Sequence, residues 1–261
     1  DLFWDPDSGE IEFERLERMD AVVHLAGENI AAGRWTAQRK ARIRHSRVAG
    51  TELLCSALAE LAHPPSVVVS ASAVGYYGDR GDEPLDEASD SGNGFLASVC
   101  RDWETATLSA QQAGIRVVNL RLGVVLSPLG GALARLLPVF RWGLGGRLGN
   151  GRMYMSWIVL DEVLRSILHC LQHEELAGPV NAVTPQPISN AEFTNALARA
   201  LNRPALLPVP AWGIRLGFGE MGREALLSSA RVFPKRLLET HFAFQYPEIG
   251  GALRRLLGES A

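Results

Sequence analysis

The run Asp20-Ala-Val-Val-His-Leu-Ala-Gly27 decides how the rest of the chain is interpreted. It is apolar from Ala21 to Ala26, interrupted only by His24, and it ends at a glycine. A short, continuous apolar run that closes on a glycine is typical of a parallel β-strand buried on both faces. We therefore predict a strand over residues 21–26, whose small terminal residues leave the backbone open to a ligand.

Two later runs end in the same way, namely Ser66-Val-Val-Val-Ser-Ala-Ser72 and Ile115-Arg-Val-Val-Asn-Leu-Arg-Leu-Gly123. Helical patterns separate the three runs, which indicates a doubly wound parallel sheet with all three carboxyl ends on one edge. Ligands of open parallel sheets bind at that edge. The sequence thus predicts that Gly27, Ser72 and Gly123 lie along one common rim.

Composition limits the classes of protein to which the chain can belong. Its 261 residues are 47% hydrophobic and 21% charged, as in ordinary globular proteins. The formal net charge of −3 provides no overall field for nucleic acid or for an anionic membrane, and no apolar run is long enough to cross a bilayer. The three cysteines (Cys55, Cys100 and Cys170) lack metal-ligand spacing, so we expect buried, reduced thiols in a cytoplasmic protein.

Helices and strands alternate along the chain as far as Gly123, after which the pattern changes. Predicted helices cover 35–61, 95–113, 132–140, 161–172 and 189–201, and predicted strands cover 67–71, 115–121, 153–159 and 180–183. Ser189 and Glu192 match a capping box, and Asp161 is expected to cap the helix that follows it. The fingerprint Gly-x-Gly-x-x-Gly, opening a helix after the first strand, is absent from this sequence.

Several motifs together resemble a known family. They are Val23-His-Leu-Ala-Gly-Glu-Asn-Ile30, Ser70-Ala-Ser-Ala-Val-Gly-Tyr-Tyr-Gly78, Cys100-Arg-Asp-Trp-Glu104, Ser156-Trp-Ile-Val-Leu-Asp161 and Phe244-Gln-Tyr-Pro-Glu248. In these motifs the chain resembles the extended and atypical short-chain dehydrogenase/reductases, in particular the "epimerase family" branch of YfcH-like or SulA-type nucleoside-diphosphate-sugar epimerases. The resemblance covers essentially the whole chain and implies an α/β, Rossmann-like, doubly wound parallel sheet with a smaller, mostly helical C-terminal lobe.

The resemblance also implies a division into two lobes. Residues 1–126 are expected to form the nucleotide-binding part, with 158–184 returning to it, and 127–157 with 185–261 are expected to form a smaller substrate-side lobe. Family members begin with a strand, a glycine-rich turn, a helix and a second strand. This first βαβ unit has no counterpart in the sequence, which starts at Asp1, and we expect the intact protein to contain it.

A second departure concerns catalysis. Typical short-chain dehydrogenases place a Tyr-x-x-x-Lys pair on the helix after the second loop, where the tyrosine exchanges a proton with substrate and the lysine lowers its pKa. The corresponding segment here is Phe95-Leu-Ala-Ser-Val-Cys100, which contains neither residue. The branch that the chain resembles also lacks the pair. Standard hydride transfer coupled to proton transfer is therefore in doubt.

The resemblance implies a set of cofactor-binding residues. Leu25, Ala26 and Gly27 match family positions whose backbone lies against the cofactor, although a strand end followed by a turn explains them equally simply. Val125 matches a position where the backbone meets the nicotinamide, and core packing is its alternative. Arg47 matches an arginine of the branch that could hold a phosphate by paired hydrogen bonds, or it belongs to a solvated basic helix face.

Ser72 is the candidate catalytic residue. It matches the family serine or threonine that hydrogen-bonds a substrate carbonyl or hydroxyl, and without the tyrosine its role shrinks to orienting the substrate. Tyr76 and Tyr77 are weaker substitutes as proton donors. None of the six histidines has a partner at metal or triad spacing, so we predict no metal site.

These observations lead to one main functional hypothesis and two alternatives. The first is an NAD(P)-dependent oxidoreductase or epimerase-like enzyme that favours NADP over NAD. Its substrate would be a nucleotide sugar or another carbonyl or hydroxyl compound, and a homodimer is a possible assembly. The second is a nucleotide-binding sensor or scaffold that keeps the fold and performs no turnover. The third, nucleic-acid binding through the basic helix, predicts a steep salt dependence and is opposed by the acidic net charge.

Overall fold

The computed structural model describes residues 3–258, over which twelve strands and nine α-helices follow one another. The strands are β1 Trp4–Asp5, β2 Glu10–Ile11, β3 Ala21–His24, β4 Val67–Ala73, β5 Pro84–Leu85, β6 Arg116–Leu122, β7 Val124–Ser127, β8 Tyr154–Met155, β9 Trp157–Val159, β10 Gly178–Ala182, β11 Ile188–Ser189 and β12 Arg231–Val232. The helices are α1 Ala37–Ala59, α2 Phe95–Thr105, α3 Leu108–Gln112, α4 Gly131–Arg141, α5 Leu160–Gln172, α6 Asn190–Ala200, α7 Ala211–Met221, α8 Lys235–Glu239 and α9 Ile249–Leu257.

A parallel four-stranded sheet organises the fold, with strand order β10-β6-β4-β3. Side chains of β4 alternate between its two faces, as the period of a strand requires. Val67 and Val69 pack with α5 and with Leu237 and Phe242, whereas Val68 packs against α1 and α3 on the opposite face. Helices therefore cover both faces of the sheet, and the predicted α/β, Rossmann-like, doubly wound class is confirmed.

A second core lies beside the sheet and joins β7 and β9 to α4, α6 and α9. Its buried members include Trp157, Phe140, Phe193 and Leu253. Strand β7 pairs with β9 in parallel, which connects this core to the end of β6. The C-terminal residues do not all belong to the second core, since Leu237 and Phe242 pack on the central sheet. The division into two lobes at the predicted boundaries stays a prediction.

Several predicted elements differ from the observed ones in instructive ways. The strand predicted over 21–26 ends at His24, and among residues 3–258 it pairs with β4 alone, with Val23 41% exposed. The helix predicted over 95–113 breaks between α2 and α3. Asp161 lies in the first turn of α5, whose N-cap is Val159, so the predicted cap was wrong. The strand predicted over 153–159 is two short strands, β8 and β9.

Other local predictions are confirmed. The capping box of α6 is present, with the Ser189 hydroxyl accepting from the Glu192 N–H and the Glu192 carboxylate accepting from the Ser189 N–H. All three cysteines are buried, free thiols. No helix within residues 3–258 combines the length and the apolar character that crossing a bilayer requires.

Gly123, between β6 and β7, provides a test of how closely the chain packs at the end of the central sheet. A Cβ atom added there would lie 2.7 Å from the Ser156 carbonyl oxygen and 2.8 Å from Val183 Cγ1. We expect Gly123→Ala to lower the free energy of unfolding by about 1–3 kcal/mol through overpacking, measured by urea denaturation. Gly251→Ala in α9 is the control, because no atom lies within 4 Å of its added Cβ. Equal stability of the two variants would contradict the packing described here.

His24 makes folding depend on pH. Its ring is buried, with Nε2 lying 3.1 Å from Thr51 Oγ1, and burial lowers the pKa of His24 below its ordinary value of 6.5. The unfolded chain therefore binds a proton that the folded chain rejects, and the free energy of unfolding falls as the pH drops below about 6.5, by up to ~1.4 kcal/mol per pH unit. In His24→Gln, the free energy of unfolding from urea titrations should depend less steeply on pH. The same pH dependence in the variant and the wild type would refute this role of His24.

Candidate functional site

The carboxyl ends of the central strands form one rim. In the register of the sheet, His24 pairs with Ser70 and Ser70 pairs with Asn119, so equivalent positions of β3, β4 and β6 lie level with one another. Gly27 follows β3, Ser72 is the penultimate residue of β4, and Gly123 directly follows β6. The three small strand ends that the sequence predicted to share an edge do so.

The first part of the rim is open and lies beside a cation. Leu25 and Gly27 are exposed and Ala26 is half-buried. A Cβ added at Gly27 would lie 3.2 Å from Cζ and 3.3 Å from Nη2 of Arg47, so only a glycine lets this guanidinium lie against the strand end without rearrangement. Helix α1 holds Arg47 here, through Nη1 donating to the Ile43 carbonyl at 3.1 Å.

Arg47 is a poorly solvated charge. Its guanidinium carbon lies 5.1 Å from the centre of the Trp103 ring, and burial lowers the pKa of Arg47. Between residues 3 and 258 no carboxylate forms an ion pair with it. A half-buried guanidinium without a carboxylate partner has hydrogen-bonding capacity for an anionic group, such as a phosphate.

Val125 lies at the far end of the same rim. It belongs to β7, two residues beyond Gly123, and pairs with Ile158 of β9. Its side chain is half-buried and packs on the sheet core. Both its predicted contact with a nicotinamide and its packing role are compatible with this location.

Ser72 lies on β4 beneath the rim and is almost fully buried. Its hydroxyl donates to Glu104 Oε1 of α2 at 2.7 Å. The same carboxylate accepts two hydrogen bonds from Arg121 of β6, from Nε to Oε1 at 2.8 Å and from Nη2 to Oε2 at 2.9 Å. The Ser72 hydroxyl is therefore occupied by a hydrogen bond to a buried carboxylate. Its predicted role toward substrate stays a prediction.

Arg121 extends this network across the sheet. Its Nη1 donates to the Tyr77 hydroxyl at 2.9 Å, and that hydroxyl donates to Asn181 Oδ1 of β10 at 2.8 Å. Burial alone would lower the pKa of Arg121, but the hydrogen bonds and charge of Glu104 raise it above its ordinary value. Burial raises the pKa of Tyr77 to about 12, although Arg121 opposes the shift. The guanidinium thus remains charged and Tyr77 remains a neutral phenol.

Sequence reasoning missed this network. The available signal was Arg121 near the end of the mostly apolar run 115–122, together with Glu104 on the helix that follows the second loop. Tyr76 completes the group, because its ring covers the Arg121 guanidinium with 3.5 Å between Cζ and the ring centre. Tyr76 is half-buried, whereas Tyr77 is fully buried, so Tyr76 is the tyrosine that a ligand at the rim could reach.

The helix position of the missing Tyr-x-x-x-Lys pair offers no replacement base. Cys100 ends the corresponding segment of α2, and burial raises the pKa of its thiol to about 12. A neutral, buried thiol is neither a nucleophile nor a general base near neutral pH. Among residues 3–258 no three His, Cys, Asp or Glu side chains converge as metal ligands either.

A groove of about 530 Å³ opens between the start of α1, the start of α2 and the end of α7. Trp35 and Phe95 line it and contact each other edge to face, with 5.1 Å between ring centres. Lys40 lies 4.8 Å from the centre of the Phe95 ring and donates to both carboxylate oxygens of Glu220 at 3.0 Å. Aromatic walls beside charged groups suit a polar organic substrate.

The buried pair of Arg121 and Glu104 generates a stability prediction. Glu104→Gln leaves the guanidinium without a counter-charge in a site where its side chain is 3% exposed. We expect the free energy of unfolding to fall by about 3 kcal/mol in urea denaturation. Glu83→Gln is the control, because it breaks the exposed pair with Arg80 and should cost less than about 1 kcal/mol. A loss at Glu104 no larger than at Glu83 would contradict a buried ion pair.

Comparison with known proteins identifies the family. Residues 4–182 match the NAD dependent epimerase/dehydratase family, and residues 209–256 match a domain of unknown function, DUF1731. An epimerase family protein of Mycobacterium bovis is 48% identical over 253 residues, which are 97% of this chain and 83% of that protein. The human epimerase family protein SDR39U1 is 34% identical over 259 residues, which are 98% of this chain and 87% of that protein.

Solved structures agree with these matches. The crystal structure of human epimerase family protein SDR39U1 (isoform 2) with NADPH has a TM-score of 0.88 at 32% identity, covering 95% of this chain and 86% of that chain. The nucleoside-diphosphate sugar epimerase of Corynebacterium glutamicum has a TM-score of 0.79 at 39% identity, covering 98% of this chain and 49% of that chain. By its motifs, its sheet and these relatives, the chain belongs to the NAD dependent epimerase/dehydratase family.

Proposed function

We propose that the protein binds a nicotinamide dinucleotide, NADP(H) in preference to NAD(H), along the rim formed by Leu25–Gly27, Ser72 and Val125. When bound, the nicotinamide supplies or accepts a hydride. The protein then acts as an oxidoreductase or epimerase-like enzyme on a small molecule with a carbonyl or hydroxyl group, such as a nucleotide sugar. The relative crystallised with NADPH supports the choice of cofactor.

The observation behind this proposal is the guanidinium of Arg47 against the exposed Gly27. A half-buried cation without a carboxylate partner gains stability from an anion, and a dinucleotide supplies two phosphates at such a position. The exposed backbone at Leu25 and Gly27 leaves room for that ligand. Residues Leu25, Ala26 and Gly27 would contact it by main chain, and Arg47 by its side chain.

The substrate would lie between the rim and the groove of Trp35 and Phe95. Tyr76 is half-buried and rests on Arg121, so it could orient a hydroxyl or carbonyl group from the rim side. Ser72 would act indirectly, because its hydroxyl holds Glu104 and Glu104 holds Arg121. In this arrangement Ser72 is a positioning residue for the cation beneath the substrate.

A second candidate is a protein that binds NADP(H) without turnover. The segment Phe95–Cys100 supports it, because a buried, neutral thiol stands where the family's proton-transfer pair is expected. A binder needs the rim and Arg47 but no general acid or base. The two candidates therefore predict the same affinity and different consumption of cofactor.

Binding is tested by thermal unfolding of the full-length protein with NADP, NADPH, NAD and NADH. We expect NADPH and NADP to raise the unfolding temperature most. Arg47→Gln should raise their dissociation constants by about tenfold to a hundredfold, because it removes a charge-assisted hydrogen bond. Arg255→Gln, on the exposed side of α9, is the matched control and should bind as the wild type does. Absence of stabilisation by all four nucleotides would exclude both candidates.

Turnover is tested separately, by following NADPH oxidation at its absorbance band with a panel of carbonyl compounds and nucleotide sugars. The enzyme candidate predicts consumption with at least one class, and loss of rate in Tyr76→Phe if its hydroxyl orients the substrate. Unaltered dissociation constants in Tyr76→Phe would separate this effect from cofactor binding. Tight binding of NADPH with no consumption across the panel would favour the non-catalytic candidate.

A further inference from the structure

Charge is distributed unevenly along this chain. The segments 105–160 and 193–219 contain no aspartate or glutamate, although they contain nine arginines. All 29 acidic residues therefore lie outside them, and the formal net charge of −3 conceals a strongly basic part of the molecule. Our expectation that no membrane is bound rested on this average, which says nothing about a local surface.

The two acid-free segments lie side by side in the structure. The Val209 N–H donates to the Arg147 carbonyl at 2.9 Å, and the Gly149 N–H donates to the Val209 carbonyl at 2.8 Å. Closer to α4, Arg203 Nε donates to the Arg141 carbonyl at 3.1 Å. The loop after α4 and the segment before α7 thus form one continuous region, so side chains from both contribute to a shared surface.

Large apolar side chains are exposed on this region. Trp142 is 78% exposed, Leu206 is 81% exposed and Trp212 is 71% exposed. Leu144 and Leu216 are also more than half exposed, and Leu216 lies one helical turn after Trp212 on the same side of α7. We call these five residues the apolar surface. Scattered exposed leucines need no explanation, but two tryptophans and three leucines on adjoining segments do.

Five exposed arginines lie on or next to the segments that present the apolar surface. Arg141, Arg147, Arg199, Arg203 and Arg215 are all exposed. In the part of the chain that the structure describes, none of them forms an ion pair. The two adjoining segments therefore combine exposed apolar side chains with positive charges that form no ion pair within residues 3–258.

We propose that the apolar surface docks onto a bilayer that contains anionic lipids. A second copy of this chain fits less well, because a two-fold contact would bring the same unpaired arginines together without a carboxylate to offset them. A bilayer satisfies both features: tryptophan and leucine side chains enter the headgroup boundary, and arginines face anionic headgroups. The contact is peripheral, since the structure offers a surface and not a spanning element.

Docking would also orient the candidate active site. Arg34, in the loop after β3, donates to the backbone carbonyls of Leu216 and Gly217, so the end of α7 is fastened to the segment that follows the rim. Arg135 of α4 donates to the Ala31 carbonyl of that same loop at 2.8 Å. Both elements of the docking region therefore contact the loop beside the proposed dinucleotide site, although docking itself does not require a cofactor.

Cosedimentation of the full-length protein with vesicles tests this proposal. We expect binding to vesicles of phosphatidylcholine with phosphatidylglycerol, little binding to phosphatidylcholine alone, and weakening by added salt. The double variant Trp142→Ser/Trp212→Ser should lower the apparent affinity by about tenfold or more. Arg141→Gln/Arg203→Gln should lower it by about fivefold for each charge removed, while leaving the apolar side chains in place.

The control is Leu164→Ser/Leu168→Ser, which removes two leucines that are more than half exposed on one face of α5. It should bind vesicles as the wild type does. Unchanged unfolding temperatures in all variants confirm that exposed side chains were replaced without loss of fold. Failure of the wild type to bind anionic vesicles, or an equal loss in the α5 control, would overturn the proposal. Self-association by light scattering that Trp142→Ser/Trp212→Ser abolishes would assign the surface to a second copy instead, and would likewise overturn it.

Discussion

The ion pair of Arg121 and Glu104 is the interaction on which the rest of the structure depends. Both groups lie under the rim, where an unpaired charge costs several kcal/mol, so each is tolerated only because the other is in place. The pair joins β6 to α2, and Ser72 joins it to β4. Tyr77 and Asn181 carry the network on to β10. Three of the four central strands are thus fixed relative to one helix at the edge where a ligand would bind.

This constraint also explains how a family member lacking the usual proton-transfer pair can keep an ordered site. The segment of α2 that would hold the pair contributes a buried thiol, Cys100, one turn before Glu104. The helix therefore contributes charge to the site through Glu104 and, by way of Arg121, presents a cation beneath the ring of Tyr76. At this position of α2 the chain provides a fixed electrostatic element, the guanidinium of Arg121 held by Glu104.

The rim of the sheet and the region around α4 and α7 differ in how their charges are arranged. At the rim, charges are buried, paired and held at hydrogen-bond distance, which favours a rigid, specific site. On the loop after α4 and the segment before α7, Arg141, Arg147 and Arg203 are exposed and form no ion pair within residues 3–258, and Trp142 and Trp212 are exposed on the same stretches. The loop after β3 contacts both α4 and α7, so the two regions are physically joined. The rim depends on desolvated hydrogen bonds, whereas the proposed docking would depend on long-range attraction and apolar insertion.

The sequence by itself determined the parallel sheet and most helices, because apolar periodicity, glycines and a capping box such as Ser189 with Glu192 act within a few residues. It placed Gly27, Ser72 and Gly123 on one edge for the same reason. Only the tertiary structure decided that the Ser72 hydroxyl donates to Glu104, that Arg47 lies against Gly27 and that the loop after α4 lies beside the segment before α7. Each of these is a contact between residues far apart in the chain, and its existence depends on packing and desolvation, which no local pattern of residues encodes.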